Sequence, residues 1–193
     1  MKSVRDIDVT SKRVFVRVDY NVPVDEELNI TDDNRILETL DLILYLVEQN
    51  ARIIIASHLG RPKGKKDPKF SLSTVCKRVS QLLKKQIFFA DDCIGDSVTK
   101  MVRQLTNGQI LMLENLRFHS EEEKNDDTFA KKLADLCDVY VNDAFAVSHR
   151  DQASITGIPK FAKESGAGFL LEKEIQSYYD SVENHKRPLV AII

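Results

Sequence analysis

Apolar residues along this chain fall into two kinds of run that alternate from one end to the other. Short, mainly apolar runs at residues 13–18, 52–56, 87–90, 110–113 and 139–141 are rich in β-branched and aromatic side chains, with Arg13 and Arg17 in the first and Arg52 opening the second. They read as strands, and the driest of them, 52–56, as one buried on both faces, as in parallel sheets. Between them apolar residues recur at helical spacing: Ile36, Leu37, Leu40, Ile43, Leu44 and Val47; Leu72, Val75, Cys76, Val79, Leu82 and Leu83; Val98, Met101, Val102 and Leu105; Phe129, Leu133 and Leu136; and Leu171, Ile175, Tyr178 and Val182. Each stripe predicts a helix with one inward face. Thr31, Asp32 and Asp33 offer N-caps to the first, and Asn107-Gly108 stops the third. Gly166-Ala167-Gly168 is predicted to start the last helix, with no strand before it.

Strand alternating with helix predicts an α/β fold: an open, mainly parallel sheet with helices on both faces, a three-layer, Rossmann-like arrangement. Right-handed crossovers leave it few topologies. Ligands bind such sheets at the carboxyl ends of the strands, so the residues leaving those ends matter most. Asp19 and Asn21 follow the first strand, His58 and Arg61 the second, Arg117 the fourth, and His149 and Arg150 the fifth, while Arg35 lies in the first turn of the first helix. A cation there opposes the helix dipole, which points to an anionic neighbour. The loop after the second strand is the most pronounced: Gly60 and Gly64 permit tight turns, Pro62 stiffens the path, and His58, Arg61 and Lys63 bring donors and charge. One rim gathering four arginines fits a small ligand with both phosphate and carboxylate, since guanidinium forks bind either bidentately. An amide and a carboxylate beside them can fix a hydroxyl.

Composition narrows the partners. The 193 residues carry 28 Lys and Arg against 30 Asp and Glu, a formal net charge of -2, which argues against nucleic acid or an anionic membrane surface. No apolar run has the length of a membrane span and the first dozen residues lack a signal-like core. Cys76, Cys93 and Cys137 form no CxxC pair, as expected of reduced structural thiols in a cytoplasmic protein. The acidic run at residues 121–127 reads as solvated. His119 reads as a satisfied loop histidine and His185 as a solvent-exposed one, and no metal-ligand spacing joins the histidines.

Several chemistries are missing. There is no GxxxxGK[ST] phosphate loop and no GxSxG elbow, and no cysteine is paired with a base. A site of Arg, His and Asn without a nucleophile suits binding, or phosphoryl transfer carried by positioning and charge. Taken singly, each arginine is an ordinary surface residue; the joint placement carries the reading.

The runs Arg17-Val18-Asp19-Tyr20-Asn21-Val22-Pro23, Ser57-His58-Leu59-Gly60-Arg61-Pro62, Leu113-Glu114-Asn115-Leu116-Arg117-Phe118, Asp143-Ala144-Phe145 with His149-Arg150, and Leu170-Leu171-Glu172-Lys173-Glu174 closely resemble, in order, the signatures of the N-terminal half of the phosphoglycerate kinase family. Tyr20 stands where phenylalanine is usual, and Ala146-Val147-Ser148 replaces a commoner small-residue triplet; neither removes a ligand-binding side chain. The resemblance implies a glycolytic enzyme that moves a phosphoryl group between 1,3-bisphosphoglycerate and ADP. Asp19 and Asn21 are then expected at the glycerate hydroxyl, His58, Arg61, Arg117 and Arg150 on the distal phosphate of 3-phosphoglycerate, and Arg35 at the carboxyl end as the catalytic cation. His149 is expected just behind them. Residues 1–167 would form the substrate-binding domain, 168–186 an interdomain helix, and 187–193 the first strand of a C-terminal domain not contained in this chain. That domain would hold Mg-ATP or Mg-ADP and the catalytic lysine, so this chain is expected to bind no nucleotide or metal, to be inactive alone, and to be monomeric. A free-standing phosphoacid-binding module and a scaffold domain with an incidental basic rim are the alternatives.

Overall fold

The computed structural model describes residues 2–184. Six strands form one sheet in the order β3-β4-β2-β1-β5-β6, where β1 is Arg13–Arg17, β2 Arg52–Ala56, β3 Ile87–Phe89, β4 Ile110–Met112, β5 Val139–Asn142 and β6 Ser165–Ala167. All five pairings are parallel. The helices are α1 Asn34–Leu37, α2 Leu40–Glu48, α3 Ser73–Leu83, α4 Asp96–Gln104, α5 Ser120–Glu123, α6 Asp127–Ala134, α7 Ile158–Phe161 and α8 Phe169–Tyr178.

The two-residue period of the strands separates two cores. Val14, Val16, Ile53, Ile55, Ile110, Met112, Val139 and Val141 face one side and pack with Ile36, Leu42, Ile43 and Leu46 of α1 and α2 and with Val75 and Val79 of α3. Phe15, Ile54, Leu111 and Tyr140 face the other, with Val98 and Val102 of α4, Phe129 and Leu133 of α6 and Ile158 of α7. Burial on both faces explains why β2 reads as an unbroken apolar run. The register aligns the outgoing ends: Arg17 pairs with Ala56 on one side and with Asn142 on the other, and Ile55 pairs with Met112. The chain therefore leaves β1, β2, β4 and β5 at nearly one level.

The differences from the sequence expectations are local. Residues 34–48 form two helices, not one, and the break at Thr39 is fixed by its side chain: the hydroxyl donates to the Ile36 carbonyl at 2.9 Å and lies 2.8 Å from the Tyr20 hydroxyl. The rotation at the break exposes Leu37 and Leu44 and buries Leu42 and Leu46 instead. Gly166 and Ala167 belong to a sixth strand paired with Val141 and Asn142, a segment too short and glycine-rich to carry a strand signal. Gly168 does precede a helix. That helix buries Leu171 but leaves Tyr178 exposed, and beyond α8 the chain makes a π-helical turn over Tyr179–Glu183 in which Val182 is exposed. The expected strand 187–193 and His185 lie outside the described residues.

The acidic run is the substantial correction. Glu122 is fully buried, with both carboxylate oxygens engaged by Ser154, and Asp126 caps α6 by accepting from the Phe129 N–H at 2.8 Å. Charge density along the run says nothing about which single carboxylate the turn of α5 points inward.

Candidate functional site

Four strand ends and one helix start build a cleft of about 230 Å³, lined by Asp19, Asn21, Arg35, His58, Arg61, Arg117 and Arg150, with Gly60, Ala146 and Val147 between them. Each element delivers its residue for a local reason. Asn21 accepts from the Gly60 N–H at 2.8 Å, tying the loop after β1 to the loop after β2. Gly60 has φ +61°, and a Cβ there would sit 2.4 Å from the Phe70 ring, so both conformation and space require glycine. Asn115 donates to the carbonyls of Leu59 and Phe70 at 2.7 and 2.9 Å and accepts from the Arg117 N–H at 3.0 Å, setting the loop after β2 and the turn holding Arg117 in one arrangement. Glu114 anchors the start of α3 by accepting from Leu72 N–H at 2.8 Å and Ser71 Oγ at 2.7 Å.

The cations differ in what they lack. Arg117 is buried and donates through Nη1 to the Gly60 carbonyl at 2.9 Å, while its Nε lies 3.6 Å from Glu123. Its Nε and Nη2, and the Nε of Arg150, are buried without a hydrogen-bond partner. Burial lowers the Arg117 pKa; Glu123 opposes that, and Arg150 and Arg17 add to it. Buried donors with no acceptor are rare in folded proteins and mark a site built for an acceptor. Arg61 is exposed at the mouth. Arg35, its side chain 47% exposed, donates to Asp19, whose other oxygen accepts from the Asn21 N–H at 3.2 Å. Arg35 also borders a second hollow of about 190 Å³ with Glu38, Thr39, Phe145, Leu170 and Glu174, so it stands between the two. A separate hollow of about 490 Å³ around Asp33, Lys77 and Arg78 shares no residue with the cleft.

His58 is buried, and its pKa is driven far down, by desolvation first and then by the charges of Arg17, Arg117, Arg150 and Arg35. It is neutral at physiological pH. The cleft contains no nucleophile: the three cysteines are buried elsewhere, with burial raising Cys76 to about 11, Cys137 to about 12 and Cys93 well above its ordinary value.

All seven residues singled out as ligand-binding thus share one cleft, whereas His149 is exposed and makes no hydrogen bond among the described residues. His119 is engaged elsewhere, its Nε2 lying 2.6 Å from Asp92, which Lys66 also pairs at 3.1 Å. Ligand atoms of Asp92, Cys93 and His119 lie within 4.8 Å of one another, a grouping that linear spacing does not show. The sequence reading missed Arg17, Ser154 and Glu122, a buried chain under the cleft floor. A charged residue within a strand buried on both faces is the one signal that marks Arg17 beforehand.

Asp143 supports the cleft from behind. Its Oδ1 accepts from the N–H groups of Leu170 and Leu171 at 2.8 and 3.1 Å, joining the first turn of α8 to the turn that carries Ala146 and Val147. Burial raises its pKa to about 6, against about 3.9 in an unfolded chain. The folded state therefore binds this proton more tightly, and the group's contribution to stability falls as pH rises from about 4 through about 6, by about 3 kcal/mol at most. Asp143→Asn keeps an acceptor at Oδ1 and is expected to flatten the pH dependence of urea unfolding in that window; an unchanged slope would show that Asp143 titrates normally.

A family model for phosphoglycerate kinase matches residues 4–193. The phosphoglycerate kinase of Desulforapulum autotrophicum is 58% identical over 193 residues, covering 100% of this chain and 49% of that protein. That of Aquifex aeolicus is 50% identical over 192 residues, covering 100% of this chain and 48% of its own length. Among solved structures, phosphoglycerate kinase from Coxiella burnetii superposes with a TM-score of 0.85 at 37% identity, covering 96% of this chain and 46% of that one. Phosphoglycerate kinase from Pyrococcus horikoshii OT3 gives 0.88 at 32% identity, covering 97% and 47%. The chain spans about half the length of the curated relatives it matches. Sequence and fold agree over nearly every residue described: the chain belongs to the phosphoglycerate kinase family.

Proposed function

We propose that the cleft binds 3-phosphoglycerate and 1,3-bisphosphoglycerate, and that this chain is the acid-binding half of a monomeric, cytoplasmic, glycolytic phosphoglycerate kinase. The observation that carries the proposal is the set of buried guanidinium N–H groups on Arg117 and Arg150 that have no acceptor. A phosphate dianion supplies several acceptor oxygens at once, and charge-assisted bonds to it offset the burial of the cations. Arg61 closes the mouth over that phosphate. Asp19 and Asn21 hold the glycerate hydroxyl, and Arg35, free to exchange its bond to Asp19, holds the carboxyl end and stabilises charge on the phosphoryl group as it passes to ADP.

The cleft has one carboxylate, Asp19, already paired with Arg35, and so does not fit a magnesium ion with a nucleotide. In this reading Mg-ATP or Mg-ADP is held by residues beyond this chain, in the remaining length of the relatives. Calorimetric titration with 3-phosphoglycerate is expected to give saturable binding that weakens with salt, and glycerate without phosphate is expected not to bind. Absence of binding at low salt would overturn the proposal. The chain alone is expected to form no ATP from 1,3-bisphosphoglycerate and ADP, and measurable turnover would refute the placement of the nucleotide elsewhere.

A further inference from the structure

Beneath the cleft lies a polar chain that the binding site does not use directly. Arg17 is fully buried at the end of β1, and its guanidinium has three partners on three sides. Nε donates to Ser154 Oγ at 2.8 Å, Nη1 donates to the Val18 carbonyl, and Nη2 donates to His58 Nδ1 at 3.2 Å. Ser154 passes the connection on: its hydroxyl donates to Glu122 Oε1 at 2.5 Å, its N–H donates to Glu122 Oε2 at 2.9 Å, and its carbonyl accepts from the Tyr140 hydroxyl at 2.7 Å. Glu122 is thus the counter-ion of Arg17, reached through one hydroxyl.

The direction of the bond to His58 is not ambiguous, because a guanidinium can only donate. Nδ1 must therefore present its lone pair. The competing arrangement has Nδ1 protonated and donating to Asp19, but that oxygen is 3.8 Å away, beyond hydrogen-bond range, and Asp19 already accepts from Arg35 and from the Asn21 N–H. A neutral imidazole whose Nδ1 accepts carries its proton on Nε2. Nε2 has no partner among the described residues, and the ring lines the cleft.

We propose that Arg17, anchored by Ser154 and neutralised by Glu122, is a positioning residue that holds His58 as the Nε2–H tautomer, so that His58 meets the ligand's phosphate as a neutral donor and not as an imidazolium. The part concerning phosphate rests on the function proposed above; the tautomer does not. The arrangement gives the phosphate a fixed hydrogen-bond donor whose own protonation does not change near neutrality. Glu122 offsets the charge of Arg17 from the side away from the cleft, so Arg17 acts through the bond it donates to His58. The groups facing His58 are Arg17, Asp19, Arg35, Arg117 and Arg150, and the cations act together with burial to keep the ring neutral.

The test is the two-bond proton–nitrogen spectrum of the ligand-free chain, with the His58 ring assigned by loss of its signals in His58→Asn. At about pH 7, and still at about pH 5.5, Nδ1 is expected to be pyridine-type and Nε2 pyrrole-type. A pyrrole-type Nδ1, or two pyrrole-type nitrogens, would overturn the proposal. In the double variant Arg17→Met/Glu122→Gln, which removes both buried charges together, the His58 signals are expected to move to averaged positions while those of His119 and His149 stay. A folded double variant with an unchanged His58 spectrum would remove Arg17 from the role. If that variant fails to fold, the spectrum of the unaltered chain still decides the tautomer. Adding 3-phosphoglycerate is expected to shift Nε2 and leave Nδ1 pyridine-type; protonation of Nδ1 on binding would overturn the neutral-donor role. A ligand that does not bind, beside a spectrum of the expected tautomer, would count against the proposed function alone.

Discussion

Arg117→Met is expected to weaken 3-phosphoglycerate binding by about 2 kcal/mol, roughly thirtyfold, while leaving the ligand-free fold as stable as before or slightly more so. The two halves of this result have one cause. Arg117 is buried with two guanidinium nitrogens unbonded, and burial, Arg150 and Arg17 all disfavour its charge. Without an anion, the side chain is a burden that Glu123, 3.6 Å away and itself half-exposed, only partly relieves. Methionine keeps the apolar stem and discards the charge, losing the bond to the Gly60 carbonyl and the loose ion pair with Glu123. With an anion in the cleft, the same nitrogens become the strongest donors available. Calorimetry gives the affinity and urea unfolding the stability. Equal losses in both would make Arg117 a structural residue, and no loss in affinity would move the phosphate elsewhere.

A residue that weakens the empty protein and strengthens the loaded one is the usual signature of a functional site. Arg117 is expected to show it, and Asn115 and Glu114 are not. Their bonds are all satisfied within the protein, so they hold the loops whether or not a ligand is present. The cleft thus has a saturated frame around an unsaturated centre.

The frame and the centre were not equally readable in the chain. Strand β2 and its loop declare themselves because burial on both faces leaves no polar residue until the strand ends, and the change from Ala56 to His58 marks the rim. Six of the seven expected ligand-binding residues follow from that geometry, since parallel strands in register must release their loops together, and Arg35 comes from the start of α1. Glu122 was hidden by its neighbours: Glu121 and Glu123 are exposed, and only the rotation of a four-residue helix separates the three. Arg17 was hidden by β1, where an arginine next to the rim passes as a strand residue reaching for solvent. The break at Thr39 depends on a bond to Tyr20, distant in sequence, and β6 depends on pairing with β5. Periodicity records which face a residue takes within its own element. It contains no information about a partner supplied by another element, and the misses at Thr39 and β6 are of that kind, whereas α5 is too short for a period to be read at all.

Glu122→Ala is expected to cost about 3–5 kcal/mol of stability, the range for leaving a buried charge uncompensated, here that of Arg17, to which Glu122 is linked through Ser154. The substitution leaves Arg17 with no counter-charge in the lowest-dielectric part of the molecule, strips the acceptor from the Ser154 N–H and hydroxyl, and opens a cavity beneath α5. For a domain of this size that corresponds to a fall in melting temperature of about 10 °C. Glu122→Gln keeps the shape and one carbonyl acceptor but not the charge, so its cost is expected to be smaller, and the difference between the two variants isolates the bonds from the charge. Combining Glu122→Gln with Arg17→Met is expected to cost less than the two changes summed, because the second removes the charge that the first leaves stranded. Urea unfolding of the four proteins closes the cycle. A cost for Glu122→Ala below about 1 kcal/mol, or strict additivity in the double variant, would mean that solvent reaches Arg17 and that the chain from Glu122 through Ser154 to His58 is not energetically connected.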